Sequence, residues 1–296
     1  MSDTLFPDFL DNSVTMTTAK YAAILGLAPS KGARSPTLWN AAFAAAGLDA
    51  VMHPFDVTEA NLAGLVAALK ADPRYIGGSV AVPHKQGLVP LLDRLEPEAE
   101  RIGAVNAIYR DGDDLVGANT DGAGALAQLR ELVDDLDGKH AMVLGMGGAG
   151  LAVAAYLADN VASLRLANRT IETAATFAER LGGKVRGVPL PRSSADLRGV
   201  NLIVNCTSVG HQDGDQGSSL GDNSETLLDA MPDDTVIYDI IYQPAETELL
   251  RQAKVIGLVT LNGLGMNLDQ AVIAFEKANP GQLSIDAIRD AMQVAG

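Results

Sequence analysis

Glycines at positions 145, 147 and 150 have the G-x-G-x-x-G spacing and directly follow the apolar run 141–144. The alanine-rich segment 151–159 that comes next has the composition of a helix. In such a strand–turn–helix unit, the first glycine permits a tight turn and the second lets the backbone approach a pyrophosphate. The third lets the helix pack closely on the strand, and the helix N-terminus favours the anion. We favour a dinucleotide site over a turn that binds nothing, with contacts from Gly145, Gly147, Gly148, Ala149 and Gly150.

The end of the next predicted strand, 163–167, indicates which dinucleotide is bound, because it is followed by Asn168-Arg169-Thr170. An Asp or Glu about 20 residues after the glycines usually holds a ribose 2′-hydroxyl, whereas an Arg suits a 2′-phosphate. No carboxylate stands at this strand end, so the sequence favours NADP, with contacts from Asn168, Arg169 and Thr170. Two alternatives stay open. In the first alternative, Arg169 is an ordinary exposed cation of the loop. In the second, Glu172 repels a phosphate and NAD is bound instead of NADP.

A lysine and a carboxylate stand at positions where acid–base groups are often found. Lys85 follows a predicted strand and a proline, and Asp121 begins a predicted helix. When hydride leaves a secondary alcohol, the hydroxyl proton must leave as well, and a lysine held in place by a carboxylate can take it. Taken singly, Lys85 is explained better as a surface cation and Asp121 as a helix N-cap. Residue types alone therefore do not decide the chemistry.

The composition limits the partners and the compartment. The chain has 296 residues, one cysteine and a formal charge of −15, which argues against nucleic acid and anionic membranes as partners. Cys206 cannot form an intramolecular disulfide, no apolar run reaches the ~18 residues that span a bilayer, and the acidic N-terminus is unlike a signal peptide. We expect a cytoplasmic protein, monomeric or homodimeric, with a small-molecule substrate. The four histidines are scattered, so we expect no metal site.

Strands alternating with helices predict an α/β fold with parallel sheet. Predicted strands lie near 21–26, 50–55, 76–82, 107–110, 114–118, 141–144, 163–167, 185, 202–204, 236–240 and 259–261. Predicted helices lie near 37–46, 59–71, 88–95, 98–102, 121–133, 151–159, 171–181, 265–278 and from 284 onward. The segment 211–224 is rich in Gly, Asp and Ser and is predicted to be a loop. A domain boundary is predicted where the helix beginning near residue 121 opens.

Short motifs spread over residues 24–275 resemble one enzyme family in content and in order. They are Ser35-Pro36, Val80-Ala81-Val82-Pro83-His84-Lys85, Gly103-Ala104-Val105-Asn106, Gly117-Ala118-Asn119-Thr120-Asp121-Gly122, the glycine turn, Asn168-Arg169-Thr170, Asn205-Cys206-Thr207-Ser208-Val209-Gly210, Tyr238 to Thr247, Asn262-Gly263-Leu264-Gly265-Met266 and Gln270. Together they are similar to the shikimate/quinate dehydrogenase family. One such motif would be weak, but the ordered set is specific.

The resemblance implies an α/β substrate-binding and catalytic domain over 1–122, a Rossmann-type NAD(P)-binding domain over 123–262, and C-terminal helices over 263–296 that return to the first domain. It implies NADP-dependent, reversible oxidation of a ring alcohol, as in the conversion of shikimate to 3-dehydroshikimate. By position, Lys85 and Asp121 match the catalytic pair. The substrate-binding positions are Ser35, Ser79, Asn106, Tyr242 and Gln270. Further cofactor positions are Thr207, Gly263 and Met266, and Gly265 and Met266 match residues close to the nicotinamide.

Several positions depart from the family pattern. Ala33 and Ala81 replace hydroxyl residues near the expected substrate carboxylate and ring, and Trp39 replaces a histidine. Lys31 or Arg34 is the candidate cation to compensate. The alternative is therefore an enzyme that oxidises quinate or another polyol acid and uses NAD as its cofactor. Thr173 occupies the position at which many NADP-using members carry a second arginine after Asn-Arg-Thr.

Two more distant alternatives complete the interpretation. A dinucleotide sensor that kept the fold is disfavoured because it has no need of Lys85 and Asp121. A methylene-tetrahydrofolate dehydrogenase also has a lysine-bearing cleft, but the motifs 119–122 and 238–247 argue against it. Thermal stabilisation of the protein by a folate, and not by shikimate, would instead favour the methylene-tetrahydrofolate dehydrogenase.

Overall fold

Two six-stranded sheets organise the chain in this computed structural model, which describes residues 4–296. One sheet belongs to a unit built from residues 4–120 and Leu268–Gly296, and the other to a unit built from Asp121–Asn267. The predicted domain ranges are 1–122 for substrate binding, 123–262 for cofactor binding and 263–296 for the C-terminal helices. This assignment of functions to ranges stays a prediction.

Within the described residues, strands and helices alternate for most of the length. The strands are β1 (Lys20–Gly26), β2 (Ala50–Asp56), β3 (Tyr75–Val80), β4 (Arg94–Leu95), β5 (Ala107–Asp111), β6 (Asp114–Ala118), β7 (His140–Leu144), β8 (Ser163–Ala167), β9 (Val185–Val188), β10 (Leu202–Asn205), β11 (Val236–Asp239) and β12 (Val259–Leu261). The helices are α1 (Ser35–Ala45), α2 (Glu59–Ala71), α3 (Pro97–Ile102), α4 (Asp121–Leu132), α5 (Gly148–Asn160), α6 (Ile171–Leu181), α7 (Ser224–Asp229), α8 (Glu248–Val255), α9 (Leu264–Ala278) and α10 (Ile285–Ala295).

The sheet of the first unit has the order β2-β1-β3-β5-β6-β4. β1 runs parallel to β2 and β3, whereas β5 runs antiparallel to both β3 and β6. The β5–β6 connection is a tight hairpin in which Gly112 has φ +62°, a conformation that glycine adopts without the penalty of a Cβ. The sheet is therefore mixed, and the antiparallel pair places Asn106 beside the end of β3.

The few aromatic side chains of the chain concentrate in the core of the first unit. Tyr21 and Phe55 pack on one face of the sheet, with ring centroids 6.1 Å apart. On the other face Trp39 and Phe275 make an edge contact at 5.2 Å, and Phe43 lies 5.1 Å from Phe275. Because Phe275 is on α9, and α10 also packs against α1, the segment after Leu268 completes this core.

The sheet of the second unit is entirely parallel and has the order β12-β11-β10-β7-β8-β9. Counted from β7, this is the 3-2-1-4-5-6 order of the Rossmann fold. The order reverses between β7 and β10, and ligands of such sheets bind outside the carboxyl ends of the strands at that point. The glycine turn follows β7, so the predicted dinucleotide site lies at the expected place.

The predicted helix over 88–95 is wrong. Residues Val89–Leu91 form a single 3-10 turn, and Arg94–Leu95 pair with β6 as a short parallel strand. Pro90 disfavours a continuing helix, and Arg94 binds the carboxylates of Asp111 and Asp114 at 2.6 and 2.8 Å at the hairpin. Tertiary contacts therefore override the helical pattern of this segment.

Two helices of the second unit were not predicted, α7 and α8. Thr247 caps α8 by accepting a hydrogen bond from the Leu250 amide, which is a start signal that the sequence did contain. Within the described residues, no helix combines the length and the apolar character that crossing a membrane requires.

Candidate active site

The glycine turn after β7 has the geometry that its spacing predicts. Gly145 has φ +91°, and a Cβ there would lie 2.8 Å from Cγ2 of Thr207. A Cβ on Gly150 would lie 2.0 Å from the carbonyl oxygen of Gly145, so any side chain would push α5 off the turn. A Cβ on Gly147 would meet no atom within 4 Å. The space beside Gly147 is therefore open, as close approach of a pyrophosphate requires.

The start of α5 faces that open space. Gly147 is the N-cap residue, and no side chain of the described residues caps the helix. The first amides of a helix lack intrahelical acceptors and carry partial positive charge, so they suit an anion. The glycine turn and α5 thus fit the diphosphate of a dinucleotide.

Asn168 connects the glycine turn to the end of β8. Its Oδ1 accepts a hydrogen bond from the Met146 amide at 3.2 Å, and its Nδ2 donates to the carbonyl of Thr170 at 3.0 Å. Arg169 and Thr170 are exposed beside it. Asn168 and Arg169 line a cavity of about 660 Å³. The side chains at this strand end therefore face a space large enough for a nucleoside.

A buried chain of hydrogen bonds fixes the loop after β10. Asp239 Oδ1 accepts from Asn205 Nδ2 at 3.0 Å, and Asp239 Oδ2 accepts from the Thr247 hydroxyl at 2.7 Å. Asn205 Oδ1 in turn accepts from the Thr207 amide at 3.0 Å and from the Thr207 hydroxyl at 2.8 Å. Thr207, a predicted cofactor contact, is thus held beside Gly145 by Asn205, which is itself held by the Asp239 carboxylate.

Burial raises the pKa of Asp239 to about 6, even though hydrogen bonds from Thr247, the Ile241 amide and Asn205 favour the charged form. Burial also raises the pKa of the Cys206 thiol well above its ordinary value, and the nearby carboxylates of Asp239 and Asp121 act in the same direction. The thiol therefore stays protonated at neutral pH. Among residues 4–296 no group of three or more His, Cys, Asp or Glu side chains is placed to hold a metal ion.

We expect Asp239 to make the stability of the protein fall as the pH rises from about 4 to about 6. In that window the unfolded chain has lost the Asp239 proton and the folded chain still holds it, so raising the pH favours unfolding. The free energy of unfolding of Asp239→Asn should lack this component, which is on the order of 3 kcal/mol. Urea unfolding of both proteins between about pH 3.5 and pH 7.5, which spans this window, measures it. A difference between the two that is constant with pH would contradict the expectation.

The other predicted cofactor residues of the second unit lie near the end of β11 and the start of α9. A Cβ on Gly263 would lie 1.8 Å from the carbonyl oxygen of Ile240, so the two backbones approach closely at this point. A Cβ on Gly265 would meet only the flexible end of Gln128. Met266 is buried and Tyr242 is half-buried. The structure thus explains the need for glycine at position 263 by packing within this unit.

In the first unit, two predicted substrate residues meet although 164 positions separate them. Asn106 Nδ2 lies 3.3 Å from Gln270 Oε1. Thr120 joins them, because its hydroxyl accepts from Asn106 Nδ2 at 3.0 Å and donates to the Gln270 carbonyl at 2.9 Å. Both amides are buried. Such a pair offers donors and acceptors suited to ligand hydroxyl groups.

Ser79 lies at the end of β3, on the strand next to Asn106. Its register partner on β5 is Ala107, and the Val80 amide donates to the Asn106 carbonyl at 2.7 Å. The Ser79 hydroxyl is buried and has no hydrogen-bond partner among the described residues. An unsatisfied buried hydroxyl costs about 1–3 kcal/mol, so Ser79 is a candidate to bind a polar ligand.

Lys85 follows β3 by five residues and is half-buried. The segment before it is anchored by His84, whose Nε2 lies 2.7 Å from the Val57 carbonyl, and the Lys85 carbonyl accepts from the Val105 amide at 2.8 Å. Asp121, the first residue of α4, is buried in the second unit. The backbone on either side of the Lys85 side chain is therefore fixed.

The residues around the start of α1 differ in burial and in contacts. Ser35, a predicted substrate contact, is the first residue of α1 and is buried. The Arg34 guanidinium lies beside the backbone of Gly296, 2.7 Å from where a Cβ of that residue would stand. Lys31 is exposed. Trp39 is fully buried in the core, so the side chain that replaces the family's histidine has a packing role.

Comparisons with known proteins agree with this architecture. Residues 27–108 match the family model of the shikimate dehydrogenase substrate binding domain, and residues 126–213 match that of shikimate / quinate 5-dehydrogenase. A shikimate dehydrogenase (NADP(+)) from Symbiobacterium thermophilum is 36% identical over 282 residues, which cover 92% of this chain and 94% of that protein. The chain belongs to the shikimate dehydrogenase family. It is therefore an NAD(P)-dependent oxidoreductase, as the sequence predicted.

Solved structures of the shikimate dehydrogenase family share the fold. A shikimate dehydrogenase in complex with NADP+ is 33% identical with a TM-score of 0.82, covering 93% of this chain and 95% of that chain. Shikimate 5-dehydrogenase from Listeria monocytogenes, in complex with shikimate and NAD, is 30% identical with a TM-score of 0.81, covering 92% and 96%. The predicted fold class, an α/β substrate domain with a Rossmann-type domain, is confirmed.

The structure identifies three residues that hold predicted site residues in place and for which the sequence suggested no role. Thr120, which joins Asn106 to Gln270, lies inside a quoted motif, as do Asn205 and Asp239, which hold Thr207. For Asn205 and Asp239, the signal in the sequence was a polar residue directly at the end of an apolar strand. Such residues follow the strands that carry ligands in doubly wound sheets.

Proposed function

We propose that the protein catalyses the NADP-dependent, reversible interconversion of 3-dehydroshikimate and shikimate. The observation that carries the proposal is the buried amide pair Asn106 and Gln270, together with the buried hydroxyl of Ser79, unpartnered within residues 4–296, on the strand beside Asn106. This set suits a ring that bears several hydroxyl groups. It lies in the unit whose residues 27–108 match a substrate binding domain of this family.

Each substrate-binding side chain has a proposed role. Asn106 and Gln270 bind ring hydroxyls, and Ser79 supplies a further hydrogen bond to the ring. Ser35 is proposed to bind the substrate carboxylate, since Ala33 lacks a hydroxyl and Arg34 lies against Gly296. Tyr242 is proposed as a further contact to that carboxylate.

The proton is moved by the protein's own groups. NADPH, when bound, supplies the hydride that the carbonyl carbon of 3-dehydroshikimate accepts. Lys85 is proposed to donate a proton from its ammonium group to the carbonyl oxygen as that oxygen gains negative charge, which yields the alcohol. In the oxidative direction the neutral lysine takes the hydroxyl proton. Asp121 is proposed as the second member of the catalytic pair, the carboxylate that balances the charge of this transfer.

The cofactor site fits NADP. The open space at Gly147 and the uncapped start of α5 suit the diphosphate, and Asn168, Arg169 and Thr170 are proposed to hold the adenosine 2′-phosphate. Thr207, Gly263 and Met266 are proposed to lie at the nicotinamide end. A cytoplasmic location and a monomeric or homodimeric state, expected from the sequence, stay predictions.

A spectrophotometric assay tests the proposal. Purified protein is given NADP⁺ or NAD⁺ with shikimate or quinate, and nicotinamide absorbance is followed in all four pairings. We expect kcat/KM for NADP⁺ with shikimate to exceed that of every other pairing by at least roughly ten-fold. Fastest turnover with quinate or with NAD⁺ would contradict it. Silence in all four, with NADP⁺ binding intact, would show that Ala33 and Ala81 belong to a site for another hydroxy acid.

The alternative, a quinate or polyol-acid dehydrogenase that uses NAD, is not favoured. The relatives at 36% and 42% identity are both named as NADP(+)-dependent shikimate dehydrogenases. The strand end after β8 also carries Arg169 where an NAD site would carry a carboxylate.

A further inference from the structure

Two neighbouring strand ends of the second unit open onto the cavity of about 660 Å³ that Asn168 and Arg169 line. β8 and β9 run parallel, with Ala167 beside Val188, so the residues after each strand emerge at the same edge of the sheet. Arg192, in the segment after β9, lines the same cavity. The sheet thus brings together two arginines that are far apart in the sequence.

The segment that follows β8 supplies a single cation to this site. Arg169 is the one cation among residues 168–173, and Glu172 adds a negative charge to the same segment. A phosphate monoester carries between one and two negative charges at neutral pH. The chain itself has a formal charge of −15, which repels an anion at long range. A second local cation would therefore matter more here than in a basic protein.

Arg165 lines the cavity but is already committed to the protein backbone. Its Nη1 donates to the Asp196 carbonyl and its Nη2 to the Arg198 carbonyl, each at 2.9 Å. In contrast, within residues 4–296 the guanidinium groups of Arg169 and Arg192 make no hydrogen bond or ion pair, and both side chains are exposed. Arg192 therefore keeps its donors for a ligand.

Asp196 is the carboxylate that lines the cavity, and it is engaged by the protein. Its Oδ2 accepts from the Arg192 amide at 3.0 Å, from the Ser193 amide at 2.9 Å and from the Ser193 hydroxyl at 3.0 Å. These hydrogen bonds, and to a smaller extent the charge of Arg192, lower the pKa of Asp196, and the bonds fix the backbone of Arg192. They use the amide of Arg192 and not its side chain, so a substitution of that side chain leaves them in place.

We propose that Arg192 is the second cation for the adenosine 2′-phosphate in this chain and helps to determine its preference for NADP over NAD. Arg169 follows the end of β8 and Arg192 follows the end of β9, and both line the same cavity. The proposal rests on the proposed function, because it assumes that NADP is the cofactor.

Calorimetric titration with NADP⁺, NAD⁺ and the fragment 2′,5′-ADP tests it without turnover. For Arg192→Ala we expect NADP⁺ and 2′,5′-ADP to bind roughly ten-fold more weakly, and NAD⁺ to bind within about two-fold of wild type. The loss should shrink as salt is raised, because exposed charges are screened. Arg192→Lys keeps the charge without the fork of donors and should recover part of the affinity.

Lys184→Ala is the matched control, since Lys184 is an exposed cation at the opposite end of β9. It should leave both affinities unchanged. Equal weakening of NADP⁺ and NAD⁺ by Arg192→Ala, or no weakening of either, would overturn the role of Arg192 if wild type itself prefers NADP⁺. A wild type that binds NAD⁺ as tightly as NADP⁺ would overturn the proposed cofactor, and the role of Arg192 with it.

Discussion

Lys85→Ala should lower kcat for shikimate oxidation by roughly 10²–10⁴-fold while the Kd for NADP⁺ stays within about two-fold of wild type. In the proposed mechanism Lys85 accepts the proton of the reacting alcohol, whereas residues of the second unit bind the dinucleotide. Steady-state kinetics give the first quantity and calorimetric titration of NADP⁺ gives the second. The two measurements together separate loss of chemistry from loss of the fold.

The control for this variant is Lys20→Ala. Lys20 is an exposed lysine at the start of β1, at the opposite end of the same sheet from Lys85, and its removal should leave kcat unchanged. Turnover by Lys85→Ala at the rate of wild type would remove Lys85 from the mechanism. Loss of NADP⁺ binding in the same proportion as kcat would instead indicate that the substitution disrupts the structure.

Arg169→Ala should weaken NADP⁺ by roughly ten- to one-hundred-fold and leave NAD⁺ nearly unchanged, since the 2′-phosphate is present only in NADP⁺. The KM values of the two cofactors at saturating shikimate, compared with their Kd values, measure the effect. The ratio between the two cofactors is the informative quantity. It is insensitive to the amount of active enzyme in each preparation.

Arg180→Ala is the control, because Arg180 lies in the last turn of α6 whereas Arg169 precedes the first. Glu172→Gln, in the first turn, should act in the opposite direction and tighten NADP⁺ slightly, since a carboxylate near a phosphate repels it. Equal weakening of NADP⁺ and NAD⁺ by Arg169→Ala would assign Arg169 a role in the adenosine site as a whole.

Local signals were enough to predict much of the fold. The bounds of α2 and α6 are those predicted, because each segment is amphipathic and ends at a proline or glycine signal. The glycine turn also has the predicted form, since positive φ and close backbone approach can be met there only by glycine. Local signals failed at Arg94, whose strand depends on pairing with β6 and on carboxylates in the β5–β6 hairpin.

The candidate site was harder to predict because its members come from distant parts of the chain. Nothing in the spacing of Asn106 and Gln270 indicates that their side chains lie 3.3 Å apart. Their association was available only through the family resemblance. Arg192 was not predicted at all, because its place beside Arg169 depends on the pairing of β8 with β9.

The core of the first unit is completed by residues that are synthesised after the whole second unit. The two units can therefore fold in a fixed order during translation. The β-sheet of the second unit lies within one continuous stretch, so the ribosome delivers all of it before α9 and α10 are complete. Until then Trp39 and Phe43 lack the ring of Phe275, and Asn106 lacks Gln270. During translation the second unit can therefore reach its native state first, while the core of the first unit stays incomplete until α9 and α10 have been made.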